Sequence, residues 1–507
     1  MAEESIQNNF FDTENLKADL KGRSVRSGVI TIAAQGTKLF LQITSTAVLA
    51  RLLTPKDFGL IAMVTAVTGF VMMFKDMGLS MATVQRSDIN HNQISTLFWI
   101  NVVLSLGVML ITVVLAPAIT WFYSEPRLTW ITLALASVFI FGGLTIQHQA
   151  LLRRQMRFGT LAVAEIGSMS AGILAAIISA IYGAAYWALV IMHLTSAIVG
   201  AIIVWIACGW RPGLPVRYSG VRKMLAFGGN LTGFNLINYF ARNLDNVLIG
   251  KVCGSGQLGF YSKAYGLLLL PIQQITAPIS AVAIPALSRL QDQSEKYRRF
   301  YCRGIEIIVF IGAPIIALLC VSADEFIRLL LGRQWLDSVI IFRILSPAAL
   351  TATTNVATGW IYISMGTVDR QLRWGIFASI LLCLSIVIGL KWGVLGVALA
   401  VSVSRVGLKI PGLWYCYKGS PIRLRDYFHA VLLPILTSVA AGLVLYYIEE
   451  MFFSDIDVVL IRLVLLSSIY IVLYLIFLNI LPGGHELLLK MLKAFQDLRP
   501  QYYRCKN

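Results

Sequence analysis

Acidic residues, histidines and paired cysteines are scarce in this chain, and each shortage removes a class of function. Asp and Glu number 25 against 42 Lys and Arg, and only 13% of the 507 residues are charged. Soluble domains filling that length would need a far more polar surface. The seven cysteines (Cys208, Cys253, Cys302, Cys320, Cys383, Cys416 and Cys505) are scattered, odd in number and free of CxxC spacing. Neither a disulfide framework nor a thiolate metal centre is expected from them. The five histidines are equally dispersed. No GxxxxGK[ST] loop occurs, because Gly250-Lys251 runs on into Val252, so the chain has no ATP site of its own. Gly254 to Gly259 does spell GxGxxG, but the dinucleotide fingerprint requires a preceding strand in a βαβ unit. Between two apolar runs those glycines are expected to make a tight turn instead. No cofactor and no metal is expected, and no catalytic nucleophile or carboxylate pair stands out.

What the chain has is apolar length. It is 57% hydrophobic with a mean hydropathy of +0.75, and runs of about twenty apolar residues, each able to cross a bilayer, recur from end to end. Fourteen spans are predicted, over 29–50, 58–74, 94–117, 129–151, 160–181, 185–207, 224–250, 258–286, 301–322, 338–363, 374–391, 394–416, 428–448 and 459–481. The predicted fold class is an all-α integral membrane protein. Residues 1–27 form a polar arm without the zones of a secretory signal, 28–210 a first six-helix bundle and 211–223 a linker (WRPGLPVRYSGVR lies across it). Residues 224–418 form a second bundle, 419–482 two extra spans and 483–507 a tail.

Orientation follows from the basic residues. With the N-terminus inside, 28 of the 42 Lys and Arg fall in cytoplasmic segments and 7 outside, while the EEMFFSDID loop is purely acidic. Both termini are expected in the cytoplasm. Most of the net charge of +17 then reflects this bias and attraction to anionic membrane lipids. No nucleic-acid module is visible.

Two stretches share a design. Asn235, Asn238, Arg242 and Asp245 fall on one helical face, and Gln35, Lys38, Gln42 and Ser45 lie two hundred positions earlier in nearly the same order. Arg51 answers Lys251, Phe58-Gly59 answers Leu258-Gly259-Phe260, and Gly183 to Leu189 is similar to Gly393 to Leu399. Six spans return the chain to its starting side. The two bundles are therefore expected to be related by a pseudo-two-fold along the membrane normal, around a central cleft that alternates its access.

Charges at membrane depth cost roughly 3 kcal/mol on insertion scales and so mark functional positions. The cations are Lys38, Arg242, Lys263, Arg343, Arg405 and Lys409, and the acids are Glu165, Asp245 and Glu306. That excess suits an anionic substrate, since attraction grows as the dielectric falls, and arginine's fork of donors suits phosphate. Lys38, Arg242, Lys263 and Arg343 are the candidate substrate-binding residues, and Asp245, Glu165 and Glu306 the candidate ion-coupling ones. Plainer readings stand beside these. Arg242 and Asp245 are spaced for an internal ion pair, Lys263 and Lys409 for snorkelling to an interface, and Glu165 and Glu306 for helix packing. Arg405 and Lys409 share a face, where their repulsion calls for solvent or an anion.

The run RLLTPKDFGLIAMVTAVTGFVMMFKDMGLSMATVQR, followed by INHNQISTLFWINVVLSLG, resembles the N-terminal half of the Wzx-type polysaccharide flippases of the MOP superfamily. LDNVLIGKVCGSGQLGFYSKAYGLLLLPIQQITAPISAVAIPALSRLQ resembles their seventh and eighth helices. The similarity extends over nearly the whole chain and lies close to the colanic-acid exporters, a lipopolysaccharide biosynthesis type. It implies export of undecaprenyl-diphosphate-linked oligosaccharide across the bacterial inner membrane for exopolysaccharide, capsule or lipopolysaccharide assembly. It also implies a cationic cavity, and a polymerase and glycosyltransferases as neighbours in the pathway. A cation-coupled exporter of small amphiphiles is the alternative on the same fold, though its cavity would favour acids and aromatics. A glycan polymerase or ligase would ordinarily need a sizeable outer loop, and none is present.

Overall fold

The structure, a computed structural model, describes residues 20–72, 79–85, 89–216, 222–452 and 458–497. Among them there are helices and connections but no strand, as a chain without water to satisfy its backbone must arrange it. The helices are α1 (Leu20–Leu52), α2 (Pro55–Met72), α3 (Leu79–Gln85), α4 (His91–Tyr123), α5 (Arg127–Ala136), α6 (Val138–Arg154), α7 (Phe158–Ile181), α8 (Trp187–Cys208) and α9 (Arg222–Arg289). After these come α10 (Ser294–Val321), α11 (Ala323–Leu330), α12 (Asp337–Ser364), α13 (Val368–Gly389), α14 (Gly393–Gly407), α15 (Lys409–Tyr417), α16 (Leu424–Phe452), α17 (Val459–Ile480) and α18 (Gly484–Asp497).

Eleven stretches are long and apolar enough to cross a bilayer. Two of them belong to longer paired crossings: Asn243–Arg289 is part of the 68-residue α9, which is broken at Gly254, and Val368–Tyr417 turns between α13 and α14. With α1 added, the spans coincide with the fourteen read from the sequence, and the chain is a multi-pass α-helical membrane protein. Local signals set the ends. Asn90 caps α4 in a reciprocal box with Gln93, which satisfies two orphan donors of the first turn. Gly254, in the GxGxxG run, has φ 82° and ψ 175°, open to glycine and closed to most residues. It serves as the turn expected there.

The chain divides into two compact units, Met1–Gly259 and Phe260–Asn507. In the first, α7 packs on α1 and α8, and α4 packs on α6. Its core is closed by an aromatic cluster. Trp210 Nε1 donates to His91 Nδ1 at 3.2 Å, the His148 ring stacks 4.5 Å from Trp205, and Phe98 stands edge-on to Trp210. Trp210 is fully buried. Trp210→Ala is expected to destabilise this unit by about 3–5 kcal/mol, measurable as a lower thermal unfolding midpoint in detergent.

The first unit also contains a reciprocal close approach. A Cβ on Gly59 would stand 1.7 Å from the Ser255 carbonyl oxygen, and one on Gly259 would stand 2.0 Å from that of Pro55. Each glycine thus lies against the backbone of the segment that opens the other's helix. In the second unit, α10 packs on α12 and α16, and α14 on α12 and α13. The core runs through Tyr297, Tyr301, Trp360 and Leu413, and Tyr301 and Tyr417 share a hydroxyl hydrogen bond of 3.1 Å.

Candidate functional site

Lys38 and Glu165, far apart in sequence, meet. The Lys38 ammonium donates to Glu165 Oε2 at 2.6 Å, and the two side chains are 26% and 49% exposed. The meeting follows from α1 lying along α7. On α1 the stripe is uneven, with Gln35 and Gln42 exposed, Lys38 half-buried and Ser45 buried. A residue chosen for substrate and one chosen for ion coupling therefore form a single pair.

Asp245 is buried, at 4% exposure, and one carboxylate oxygen accepts from the Asn246 amide at 2.8 Å. Arg242 belongs to α9, but its side chain lies outside the described residues, as do those of Asn235 and Asn238. Tyr239, on the same helix, donates to the carbonyls of Thr65 and Ala66 at 3.1 and 3.0 Å. This binds the striped helix to α2.

The second unit holds the remaining candidates. Lys263 is half-buried on the second arm of α9. Glu306 is half-buried on α10 and makes no hydrogen bond or salt bridge among the described residues, with Arg303 and Lys490 as the nearby positive charges. Arg343 is exposed on α12 and donates to the carbonyls of Cys320 and Val321, both at 3.3 Å. It lines a cavity of about 620 Å³ between α10, α12 and α16, whose walls (Ile316, Leu350, Val439 and Leu443 among them) are otherwise largely apolar. A cation at the edge of an apolar cavity fits an amphiphile with an anionic head.

One cluster gave no signal in the sequence, and a second showed there only as its pair of cations. Arg462 on α17 bonds Glu325 of α11 at 2.9 Å and Glu449 of α16 at 2.8 Å, and Glu325 is only 3% exposed. Glu449 opens the acidic stretch read as an outer loop, yet it is buried in the last turns of α16; residues 453–457 lie outside the described residues. The second cluster gathers Arg405 and Lys409 with Tyr265, Asn355 and Tyr427. Its signal was the pair of like charges one turn apart.

The chain is similar to known proteins over most of its length. It is 27% identical over 439 residues to the teichuronic acid biosynthesis protein TuaB of Bacillus subtilis (strain 168), covering 86% of this chain and 89% of that one. It is 27% identical over 436 residues to the lipopolysaccharide biosynthesis protein WzxC of Escherichia coli (strain K12), covering 83% and 87%. The solved structure of the lipid II flippase MurJ, in an inward closed conformation, superposes with a TM-score of 0.70 at 14% identity, covering 89% of this chain and 98% of that one. This likeness gives the fold. The family model described as "Polysaccharide biosynthesis protein" matches residues 48–340, more than half of the chain, and the chain belongs to that family.

Proposed function

We propose that the chain is a flippase that moves lipid-linked oligosaccharide repeat units, joined through a diphosphate to a polyisoprenoid, from the cytoplasmic to the outer leaflet. The observation that carries this reading is family membership in polysaccharide biosynthesis on a fold shared with a lipid II flippase along 89% of the chain. A membrane-embedded repeat unit must cross as a charged, hydrated head on an apolar tail, so the protein must shield the charge through the bilayer. Lys38, Arg242, Lys263 and Arg343 supply positive charge for the diphosphate. Glu165, Asp245 and Glu306 are the groups to exchange a proton or sodium ion. The protein acts as a transporter and carries out no covalent step.

The two six-helix halves, 28–210 and 224–418, alternate access to a cleft, and the reciprocal approach of Gly59 and Gly259 is the contact a two-fold relation would give. The protein sits in the bacterial inner membrane with both termini in the cytoplasm, and it passes its product to a polymerase fed by glycosyltransferases. Two experiments test this. In a strain lacking the chain, polymer is expected to disappear while lipid-linked repeat units accumulate on the cytoplasmic leaflet, and unchanged polymer would contradict the reading. In a background cleared of native cysteines, Ser454→Cys is expected to react with an impermeant maleimide in intact cells and Ser294→Cys only after lysis. Outside labelling at position 294 would reverse the topology.

A further inference from the structure

Within the second unit, α14 and α15 form one interrupted span, and the interruption separates two cations. Arg405 lies just before it and Lys409 just after. The break has a covalent cause. Pro411 lacks the N–H that would bond the Gly407 carbonyl, while the neighbouring ladder bonds, Leu408 to Ser404 at 2.9 Å and Gly412 to Leu408 at 3.0 Å, persist. Gly407 faces outward with Val403 and Ile410, about half a turn from Arg405 and Lys409, and broken helices form the binding sites of many transporters.

The side chains around the break are arranged for an anion. The Arg405 guanidinium stands 5.5 Å from the centre of the Tyr265 ring, and its Nε is buried without a hydrogen-bond partner. Lys409 donates to Asn355 Oδ1 at 2.7 Å and stands 5.6 Å from the centre of the Tyr427 ring. Tyr427 is held in turn by a 3.0 Å hydroxyl bond with Thr354. Among the described residues no carboxylate pairs with either cation. Tyrosine faces and one neutral amide fix both heads in place without cancelling their charge. Two like charges one turn apart repel, so the arrangement is relieved by an anion that spans both.

We infer that Arg405 and Lys409 form a diphosphate-binding site at the break between α14 and α15. In the topology above it lies in the cytoplasmic half of the membrane, where a lipid-linked substrate loads. The inference rests on the proposed lipid-diphosphate substrate and adds a loading position for its head, ahead of the cations named above. Arginine offers its fork to one phosphate and lysine a point charge to the other.

The test uses the full chain in nanodiscs, with farnesyl diphosphate as the probe and farnesol as the uncharged control. Wild type is expected to bind the diphosphate more tightly than the alcohol. Arg405→Gln and Lys409→Gln are each expected to weaken diphosphate binding roughly tenfold, as loss of one charge-assisted contact does, while farnesol binding stays unchanged. Lys409→Arg keeps the charge and is expected to keep most of the affinity. Should a variant fail to fold, amine-reactive footprinting of the wild-type protein reads the same site, with Lys409 protected by farnesyl diphosphate and not by farnesol. Folded variants that bind as wild type does, or an unprotected Lys409, would overturn the site and leave the lipid-diphosphate reading standing. Equal wild-type affinity for diphosphate and alcohol would overturn both.

Discussion

Lys38→Met is expected to lower export roughly a hundredfold at matched protein level, as removal of about 3 kcal/mol of charge-assisted contact does. Folding is expected to survive the change. The Lys38–Glu165 pair is 26% and 49% exposed, and ion pairs that open contribute about 0–1 kcal/mol to stability. A large transport defect with an unchanged unfolding midpoint would therefore report substrate handling rather than a broken brace. Glu165→Gln separates the partners' roles. It is expected to abolish gradient-driven transport while diphosphate binding stays within about twofold, because Lys38 keeps its charge. The plain packing account makes a different demand. If the two side chains only neutralise each other, the double change Lys38→Met with Glu165→Gln exports normally. Polymer output and thermal unfolding of both single mutants and the double mutant decide between the two accounts.

The second large effect is on stability. Gly59→Ala is expected to cost more than the roughly 1–3 kcal/mol of ordinary overpacking, because the obstacle is backbone. The added carbon would stand 1.7 Å from the Ser255 carbonyl oxygen and 2.5 Å from its carbon. A flexible side chain could move away, whereas a helix must move as a body. Gly259→Ala meets the Pro55 carbonyl at 2.0 Å and is expected to behave alike. At Gly107, inside α4, an added Cβ would meet nothing within 4 Å. Gly107→Ala is therefore expected to stabilise by about 0.5–1 kcal/mol through the chain entropy alone. Unfolding midpoints falling for Gly59→Ala and Gly259→Ala and rising for Gly107→Ala would support the packing. Equal midpoints across the set would contradict it.

Much of this was legible because the membrane imposes simple rules. Apolar runs of bilayer length announced the spans, and the helices coincide with them even where a span is broken, as at Ser137 between α5 and α6. The matching of Phe58-Gly59 with Leu258-Gly259-Phe260 rested on the order of residues two hundred positions apart, and both glycines prove to be sites of close approach. The pairing of Lys38 with Glu165 was not legible, since it depends on which face of α1 meets α7. Nothing in a local pattern fixes that rotation. Arg462 was hidden for a related reason. Its partners fall outside the predicted spans, Glu325 between two of them and Glu449 at the start of the stretch read as an outer loop, where solvent is the expectation. Arg405 and Lys409 were visible as a repelling pair, but the tyrosines and Asn355 that hold them come from three other helices. Only the folded second unit brings those together.

The most direct measurement is translocation itself. The purified chain is reconstituted into liposomes carrying an isoprenyl-diphosphate-linked oligosaccharide with a fluorescent sugar label, and a quencher is added outside. The account predicts that label initially shielded in the inner leaflet becomes accessible faster with the protein than without it. It also predicts that Lys38→Met and Arg405→Gln slow this exposure while a labelled phosphatidylcholine stays shielded throughout. Protein-independent rates for the diphosphate-linked glycan, or equal acceleration of the phosphatidylcholine, would contradict a flippase for lipid-linked oligosaccharide.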